Sequence, residues 1–189
     1  FANLLTHPPL AAWLAQFPQR ERRVLIIAHR EELLAQAAQR LHVYNPDLHI
    51  GFEQGDHVAG PFCDVVIASI QTLAARDYRR LERLMKHGTF RIVVVDEAHH
   101  AAAGTYRNSL VRLGFLPKEE AGADDEETVD AGRLAEILRA WETVAPKDRL
   151  LLGVTATPNR SEGSGAASCS IAETRWRRRA VRERNGPPR

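Results

Sequence analysis

Two adjacent carboxylates, Asp96 and Glu97, end a run of apolar residues in the segment RIVVVDEAHH, residues 91–100. The apolar residues before them predict a buried strand, and ligands of open α/β sheets bind at the carboxyl ends of such strands. Asp96 suits a magnesium ion, which prefers oxygen ligands. Glu97 suits a base that orients and deprotonates a water attacking a γ-phosphate, and His99 could sense and relay that state. A solvated acidic turn is the alternative.

A second apolar run ends in two hydroxyls around a small residue. The segment LLGVTATPNR, residues 151–160, places Thr155, Ala156 and Thr157 after a predicted strand and stops at Pro158. Such a loop can approach a neighbouring loop closely and exchange hydrogen bonds with it. Taken alone, it indicates only a strand followed by a turn.

A third segment, VLIIAHREELLAQ, runs from a predicted strand through His29 and Arg30 into a predicted helix. The helix opens with two acidic residues, which suit a helix N-terminus. The amides at this terminus, together with Arg30, could hold a phosphate of a nucleic-acid backbone. The alternative is a well-capped turn in which Arg30 is solvated.

A fourth segment, VVIASIQTLAAR, has the same design of a strand followed by a polar turn. Ser69, Gln71 and Thr72 are short polar residues at the end of its apolar run. Side chains of this kind can contact phosphates without reading the base sequence. The segment therefore indicates a second loop for contact with a nucleic-acid backbone.

Four short apolar runs must position these groups. The runs are residues 24–28, 65–70, 92–95 and 150–154. They lack polar alternation, which is typical of strands buried on both faces of a parallel sheet, although buried helix segments are the alternative. Apolar residues at helical spacing lie between or beside them. These predicted helices are residues 31–41, 78–86, 106–113 and 131–143. Alternating strands and helices predict an α/β fold with right-handed crossovers.

The composition is that of a globular domain with a basic end. Apolar residues make up 44% and charged residues 26% of the 189, and the two cysteines suit a reducing compartment. No apolar run approaches the roughly 20 residues of a membrane span. Residues 161–189 hold seven Arg against three Glu, a charge of +4, so the overall +2 leaves −2 for residues 1–160. We predict a cytoplasmic protein with a folded part, residues 1–163, and an Arg-rich tail of low order, residues 164–189.

The four segments resemble, in order, motifs Ia, Ib, II and III of the first RecA-like domain of superfamily 2 helicases. The matching stretches are AHREEL, ASIQTL, VVDEAHH and GVTATPNR. They are most similar to the DEAD/DEAH-box branch that includes the type III restriction subunit and related repair helicases. The resemblance covers roughly residues 1–163. It implies a RecA-like parallel sheet flanked by helices, and a helicase or translocase that couples ATP hydrolysis to movement on DNA, with RNA as the alternative partner.

The resemblance also implies cofactors and a role for each matched residue. The cofactors are ATP and Mg²⁺, with Asp96 and Glu97 at the metal and Glu97 activating the water. His99 and the TAT segment would couple the nucleotide site to the strand site; that segment is Thr155, Ala156 and Thr157. Five residues would contact the nucleic-acid backbone: His29, Arg30, Ser69, Gln71 and Thr72.

The chain departs from the family pattern near both ends. No phosphate-cradling GxxxxGK[ST] loop occurs in it, it begins with Phe1, and the resemblance stops after residue 163. We therefore expect a fragment with an incomplete sheet, whose second RecA-like domain or other subunits belong to the complete protein. Residues 150–154 should form an exposed edge that promotes self-association. The basic tail should bind nucleic acid weakly, and this binding should be lost as the salt concentration rises.

Two other functions stay open on the sequence alone. One is non-catalytic nucleic-acid binding by the same loops and the Arg-rich tail. The other is a metal-dependent hydrolase. Its candidate residues are His29, Cys63, Asp96, His99 and His100. Adjacent histidines point apart on a strand or a helix, and no HExxH or paired CxxC spacing supports this second function.

Overall fold

The computed structural model describes residues 7–29, 31–96, 104–118 and 148–154. Its strands are β1 (Arg23–Ala28), β2 (Ile50–Glu53), β3 (Val65–Ser69), β4 (Phe90–Asp96) and β5 (Leu150–Val154). They form one all-parallel sheet in the order β2-β3-β1-β4-β5. The four predicted apolar runs are β1, β3, β4 and β5, which confirms the predicted α/β fold with a parallel sheet.

Five α-helices of the described residues flank the strands. They are α1 (Pro8–Leu14), α2 (Glu31–Tyr44), α3 (Ile70–Ala74), α4 (Arg79–Lys86) and α5 (Gly104–Arg112). Helices α2, α4 and α5 confirm three of the predicted helices. Met85, which helical spacing groups with Leu81 and Leu84, is 37% exposed, while Leu81 and Leu84 are fully buried. One residue advances a helix by about 100°, and this step turns Met85 away from the sheet.

The sheet is covered on both faces, because successive strand residues enter two separate cores. Leu25 and Ile27 of β1 join the core under α3, α4 and α5. Val24 and Ile26 join the opposite core, which contains Leu10 of α1 and Leu34 and Leu41 of α2. A strand with helices on both faces has no solvated side, and this explains why these strands are continuous apolar runs.

Buried arginines fasten the amino edge of the sheet. Arg23 donates to the carbonyl oxygens of Cys63 at 3.2 Å, Leu84 at 2.8 Å and Gly88 at 3.3 Å. Its guanidinium carbon lies 4.5 Å from the centre of the Phe90 ring. Burial lowers the pKa of Arg23, and the nearby Cys63 and Asp64 act in the opposite direction. A single side chain thus ties β1 to the start of β3, the end of α4 and the start of β4.

Arg91 performs a similar task on the neighbouring strand. Its guanidinium forms ion pairs with Glu21, in the 3₁₀ turn Gln19–Glu21, and with Asp148, two residues before β5. The same group lies 4.1 Å from the centre of the Phe17 ring. Charged groups are costly to bury unless they are paired and hydrogen-bonded. Arg91 is paired with two carboxylates, whereas Arg23 is hydrogen-bonded to backbone carbonyl oxygens.

The connection between α3 and α4 has an unusual backbone. Arg76, Asp77 and Tyr78 have φ angles of 53°, 55° and 60°. The left-handed conformation costs a non-glycine residue about 1–2 kcal/mol. Three such residues in succession require compensating contacts from their surroundings.

Both edge strands of the described sheet have a neighbour on one side alone within the described residues. β2 pairs with β3, and β5 pairs with β4. β5 is the last strand of the described sheet, and both its exposure as an edge and the self-association expected from it stay predictions. The predicted helix at 131–143 and the tail at 164–189 lie outside the described residues. Among the helices that are described, none has the length and apolar character needed to cross a membrane.

Candidate functional site

Four strands bring their predicted site residues to one edge of the sheet. Across the strand pairs, Ala28 lies opposite Ser69, Ile27 opposite Val95, and Asp96 opposite Val154. The carboxyl ends of β1, β3, β4 and β5 therefore lie side by side, as predicted. Six predicted site residues lie outside the described residues: Arg30, Glu97, His99, Thr155, Ala156 and Thr157. Their roles stay predictions.

The chain changes direction across the sheet between β1 and β4. After β1 it continues through α2 into one core, and after β4 it continues through α5 into the other. Ligands of open α/β sheets bind in the crevice outside such a switch point. His29 follows β1 and Asp96 ends β4, so these two residues flank the crevice.

A hydrogen-bond chain joins the turns that follow β1 and β3. The Gln71 side-chain nitrogen lies 2.9 Å from Nδ1 of His29, and the Ser69 hydroxyl donates to Oε1 of Gln71 at 2.8 Å. The backbone N–H of Thr72 donates to the Ser69 hydroxyl at 3.3 Å, which caps α3. Four of the five predicted nucleic-acid-binding residues are thus brought together.

These four side chains differ in their accessibility. Ser69 is 5% exposed, and its hydroxyl is engaged in shaping the turn. His29 and Gln71 are exposed, and Thr72 is half-buried. Of these four residues, Gln71 and His29 therefore have the side chains that are most accessible to a ligand at the carboxyl edge.

A third turn, absent from the predicted site, joins this edge from the neighbouring strand. Gln54 and His57 pair through two backbone hydrogen bonds in a tight turn after β2. Gly55 has a φ of 51°, a conformation that favours glycine, and its N–H donates to the Thr72 hydroxyl at 3.2 Å. The one sequence signal for this turn was Gly55 within the polar stretch EQGDH.

A buried carboxylate holds that turn in place. Glu53, at the end of β2, is 0% exposed and accepts from the Ala59 N–H at 2.9 Å. Arg83 of α4 contacts it at 2.6 Å, and Arg80 lies 3.4 Å away. Arg83 also donates to the Ala59 carbonyl at 3.0 Å. Both ends of the loop that contains Gly55 are therefore fixed to α4.

Asp96 supplies the acidic part of the described edge. It is the last residue of β4, it is half-buried, and β1 and β5 flank its strand. A carboxylate in this place is an oxygen donor at the switch-point crevice, which suits a hard cation such as Mg²⁺.

The described residues do not support the metal-hydrolase alternative. No group of three or more His, Cys, Asp or Glu among them could hold a metal ion. Cys63 precedes β3, whereas His29 and Asp96 follow or end their strands. A five-residue strand is about 16 Å long, so Cys63 lies at the opposite edge of the sheet from the other two.

The sheet order, the switch point and the polar turns at its carboxyl edge define an open, all-parallel α/β domain, as expected from the resemblance to the first RecA-like domain of superfamily 2 helicases. The comparison with protein families agrees: a family model described as "Type III restriction enzyme, res subunit" matches residues 10–160. The chain belongs to this family. The resemblance found in the sequence motifs is thereby confirmed.

Two curated proteins are similar to this chain. One, from Saccharomyces cerevisiae, carries the name ATP-dependent helicase IRC3 and is 38% identical over 89 residues, which is 46% of this chain and 12% of that protein. The other, from Schizosaccharomyces pombe, carries the name mitochondrial ATP-dependent helicase irc3 and is 29% identical over 160 residues, or 83% of this chain. The second match spans 21% of the relative, so this chain covers a minor part of either protein.

Proposed function

We propose that this chain is part of the motor of an ATP-dependent helicase or translocase of superfamily 2 that acts on DNA. The observation that carries the proposal is the bond between Gln71 and His29, because it joins two predicted phosphate-contacting turns beside Asp96. Family membership and the names of the two relatives support ATP and nucleic acid as ligands. The cytoplasmic location predicted from the sequence is likewise a proposal.

The nucleotide side of the proposed site is built around the end of β4. The oxygen donors of Asp96 fit a magnesium ion, which would neutralise phosphate charge when bound with ATP. Glu97, the next residue, orients a water molecule and accepts its proton. His99 and the TAT residues Thr155–Thr157 relay the state of this site to the nucleic-acid side.

The nucleic-acid side comprises the turns after β1 and β3. His29 and Gln71 are exposed there, and Arg30 follows directly in the sequence. Contacts from such groups go to phosphates, which position a strand without reading its sequence. We therefore expect binding that depends on salt and has little base preference.

Replacement of Gln71 with Ala should weaken binding of single-stranded DNA. The substitution removes the amide group that links His29 to Ser69. It also removes one polar group that could contact the nucleic acid. A net hydrogen bond contributes about 0.5–1.5 kcal/mol, so the dissociation constant should rise about two- to tenfold. Fluorescence anisotropy of a labelled oligothymidylate at fixed salt measures this change.

Gln39→Ala is the matched control for that experiment. Gln39 is an exposed glutamine in the middle of α2, away from the carboxyl edge. Its loss should leave the dissociation constant unchanged. If the Gln71→Ala and Gln39→Ala proteins bound with equal affinity, the carboxyl edge would not be part of the binding site.

Non-catalytic nucleic-acid binding is the second candidate function. The absence of a GxxxxGK[ST] motif from the 189 residues favours it for the isolated chain. The two candidates share the nucleic-acid face and differ in ATP hydrolysis, so turnover that requires Glu97 would exclude non-catalytic binding.

A further inference from the structure

One arginine of α5 contacts the left-handed connection between α3 and α4. The guanidinium carbon of Arg112 lies 4.4 Å from the centre of the Tyr78 ring. Its two terminal nitrogens pair with Asp77 at 3.1 Å and with Glu82 at 3.2 Å. Arg112 thus contacts two of the three left-handed residues and the first turn of α4.

The backbone of this connection needs such support. Arg76, Asp77 and Tyr78 are all in the left-handed region although none is a glycine. Residues in sparsely populated conformations persist when their surroundings hold them there. Tyr78 is 6% exposed within the core, and Arg112 covers its ring from outside.

The connection is one of the attachments of α3, beside the buried side chains of Ile70 and Leu73. This helix has five residues, and a helix of that length has no stability of its own. Its N-terminus is fixed by Ser69 at the end of β3, and Ala75 follows its C-terminus directly before the left-handed residues. The orientation of Gln71 and Thr72, which lie on α3, therefore depends in part on the connection that follows the helix.

Arg112 belongs to α5, the helix that follows β4 in the sequence. It ends α5, which begins at Gly104, eight residues after Asp96 in the sequence. The side chain thus links α5 to the connection between α3 and α4 and to the first turn of α4.

We propose that Arg112 is a positioning residue for the nucleic-acid face: it holds the connection at 76–78, and through it α3, in the orientation that places Gln71 beside His29. The inference rests on the proposed function, since it assigns a support to that same face. Arg112 does not itself touch the nucleic acid.

The exposure of these groups makes the role measurable. The side chains of Asp77 and Glu82 are 87% and 53% exposed, and that of Arg112 is 35% exposed. Ion pairs in such solvated positions contribute little to global stability. Loss of Arg112 should therefore affect nucleic-acid binding more clearly than it affects unfolding.

The test compares oligothymidylate affinity at fixed salt for the 189-residue chain and for Arg112→Met, Arg112→Lys and Arg79→Met. Arg79 is an exposed arginine at the start of α4, so its replacement controls for the loss of one positive charge. We expect Arg112→Met to weaken binding about fivefold, Arg112→Lys to restore part of the loss, and Arg79→Met to change affinity less than twofold. The thermal midpoint of each variant is measured alongside.

A double substitution distinguishes positioning from direct contact. If Arg112 acts through α3, adding Arg112→Met to Gln71→Ala should weaken binding less than twofold further, because both changes remove the same arrangement. Full additivity, or equal affinity of Arg112→Met and Arg79→Met, would overturn the inference while leaving the proposed function intact. Failure of the unsubstituted chain to bind oligothymidylate would overturn the proposed function and the inference with it.

Discussion

The purified 189-residue chain should hydrolyse ATP no faster than its own Glu97→Gln variant, even in the presence of DNA. Glu97 can activate water only when the γ-phosphate is held in line with that water. Such positioning can lower an activation free energy by about 7–11 kcal/mol. The backbone amides and Lys of a GxxxxGK[ST] loop provide that hold in this family, and the 189 residues contain no such motif.

Turnover is measured by phosphate release with and without single-stranded DNA, and Glu97→Gln serves as the baseline for contaminating ATPases. A rate above this baseline would show that the chain itself holds ATP. A rate that rises with DNA and disappears in Glu97→Gln would contradict the prediction directly. It would also exclude non-catalytic binding as the function of this chain.

Replacement of Arg23 with Met should lower the free energy of unfolding by about 3 kcal/mol. Arg23 is 3% exposed and donates to three backbone carbonyls, on Cys63, Leu84 and Gly88. Leaving a buried carbonyl oxygen without its hydrogen bond costs about 1–3 kcal/mol of folding free energy. Because water can reach part of this region, the loss for all three carbonyls is smaller than three times that value. Methionine keeps much of the apolar stem, which isolates the loss of the donors.

Urea denaturation followed by circular dichroism measures the change, with Arg40→Met as the control. Arg40 is exposed on α2, and surface substitutions of this kind shift stability by no more than about 0.5 kcal/mol. A loss below about 1 kcal/mol for Arg23→Met would mean that the three carbonyls find other partners. Arg23 would then not be the tie that fastens the amino edge.

The strands that could be predicted are those buried on both faces. β1, β3, β4 and β5 are apolar throughout or nearly so, and a two-sided core demands this pattern. β2 was missed because it is a four-residue edge strand with Gly51 inside it. That glycine is required by a tertiary contact, since a Cβ there would lie 2.5 Å from the sulfur of Cys63.

Two short helices also escaped prediction. α3 covers five residues within a stretch interpreted as a polar turn, and five residues are too few to show a helical period. α1 begins with two prolines, which suit the first turn of a helix but also suit a loop. In both cases the helix is defined by what it packs against, which a single sequence does not contain.

The sequence predicted which turns form the candidate site, but it did not predict the side-chain contacts between them. Parallel strands bring their carboxyl ends to one edge, so the grouping of His29, Ser69 and Asp96 follows from the fold class. The bond between His29 and Gln71 joins residues 42 positions apart, and the ion pair of Arg83 with Glu53 joins residues 30 apart. Such pairings depend on register and helix packing. The left-handed residues 76–78 carry no glycine that would signal them.

The central claim is that the carboxyl edge of this sheet binds nucleic acid. A footprint by hydrogen–deuterium exchange tests this claim most directly. Amide hydrogen–deuterium exchange is measured on the 189-residue chain with and without saturating single-stranded oligothymidylate. We predict added protection in the peptides that span residues 29–31 and 69–72 together, and no change at residues 18–22 on the amino edge. Protection confined to residues 164–189, with none at 29–31 and 69–72, would contradict the account.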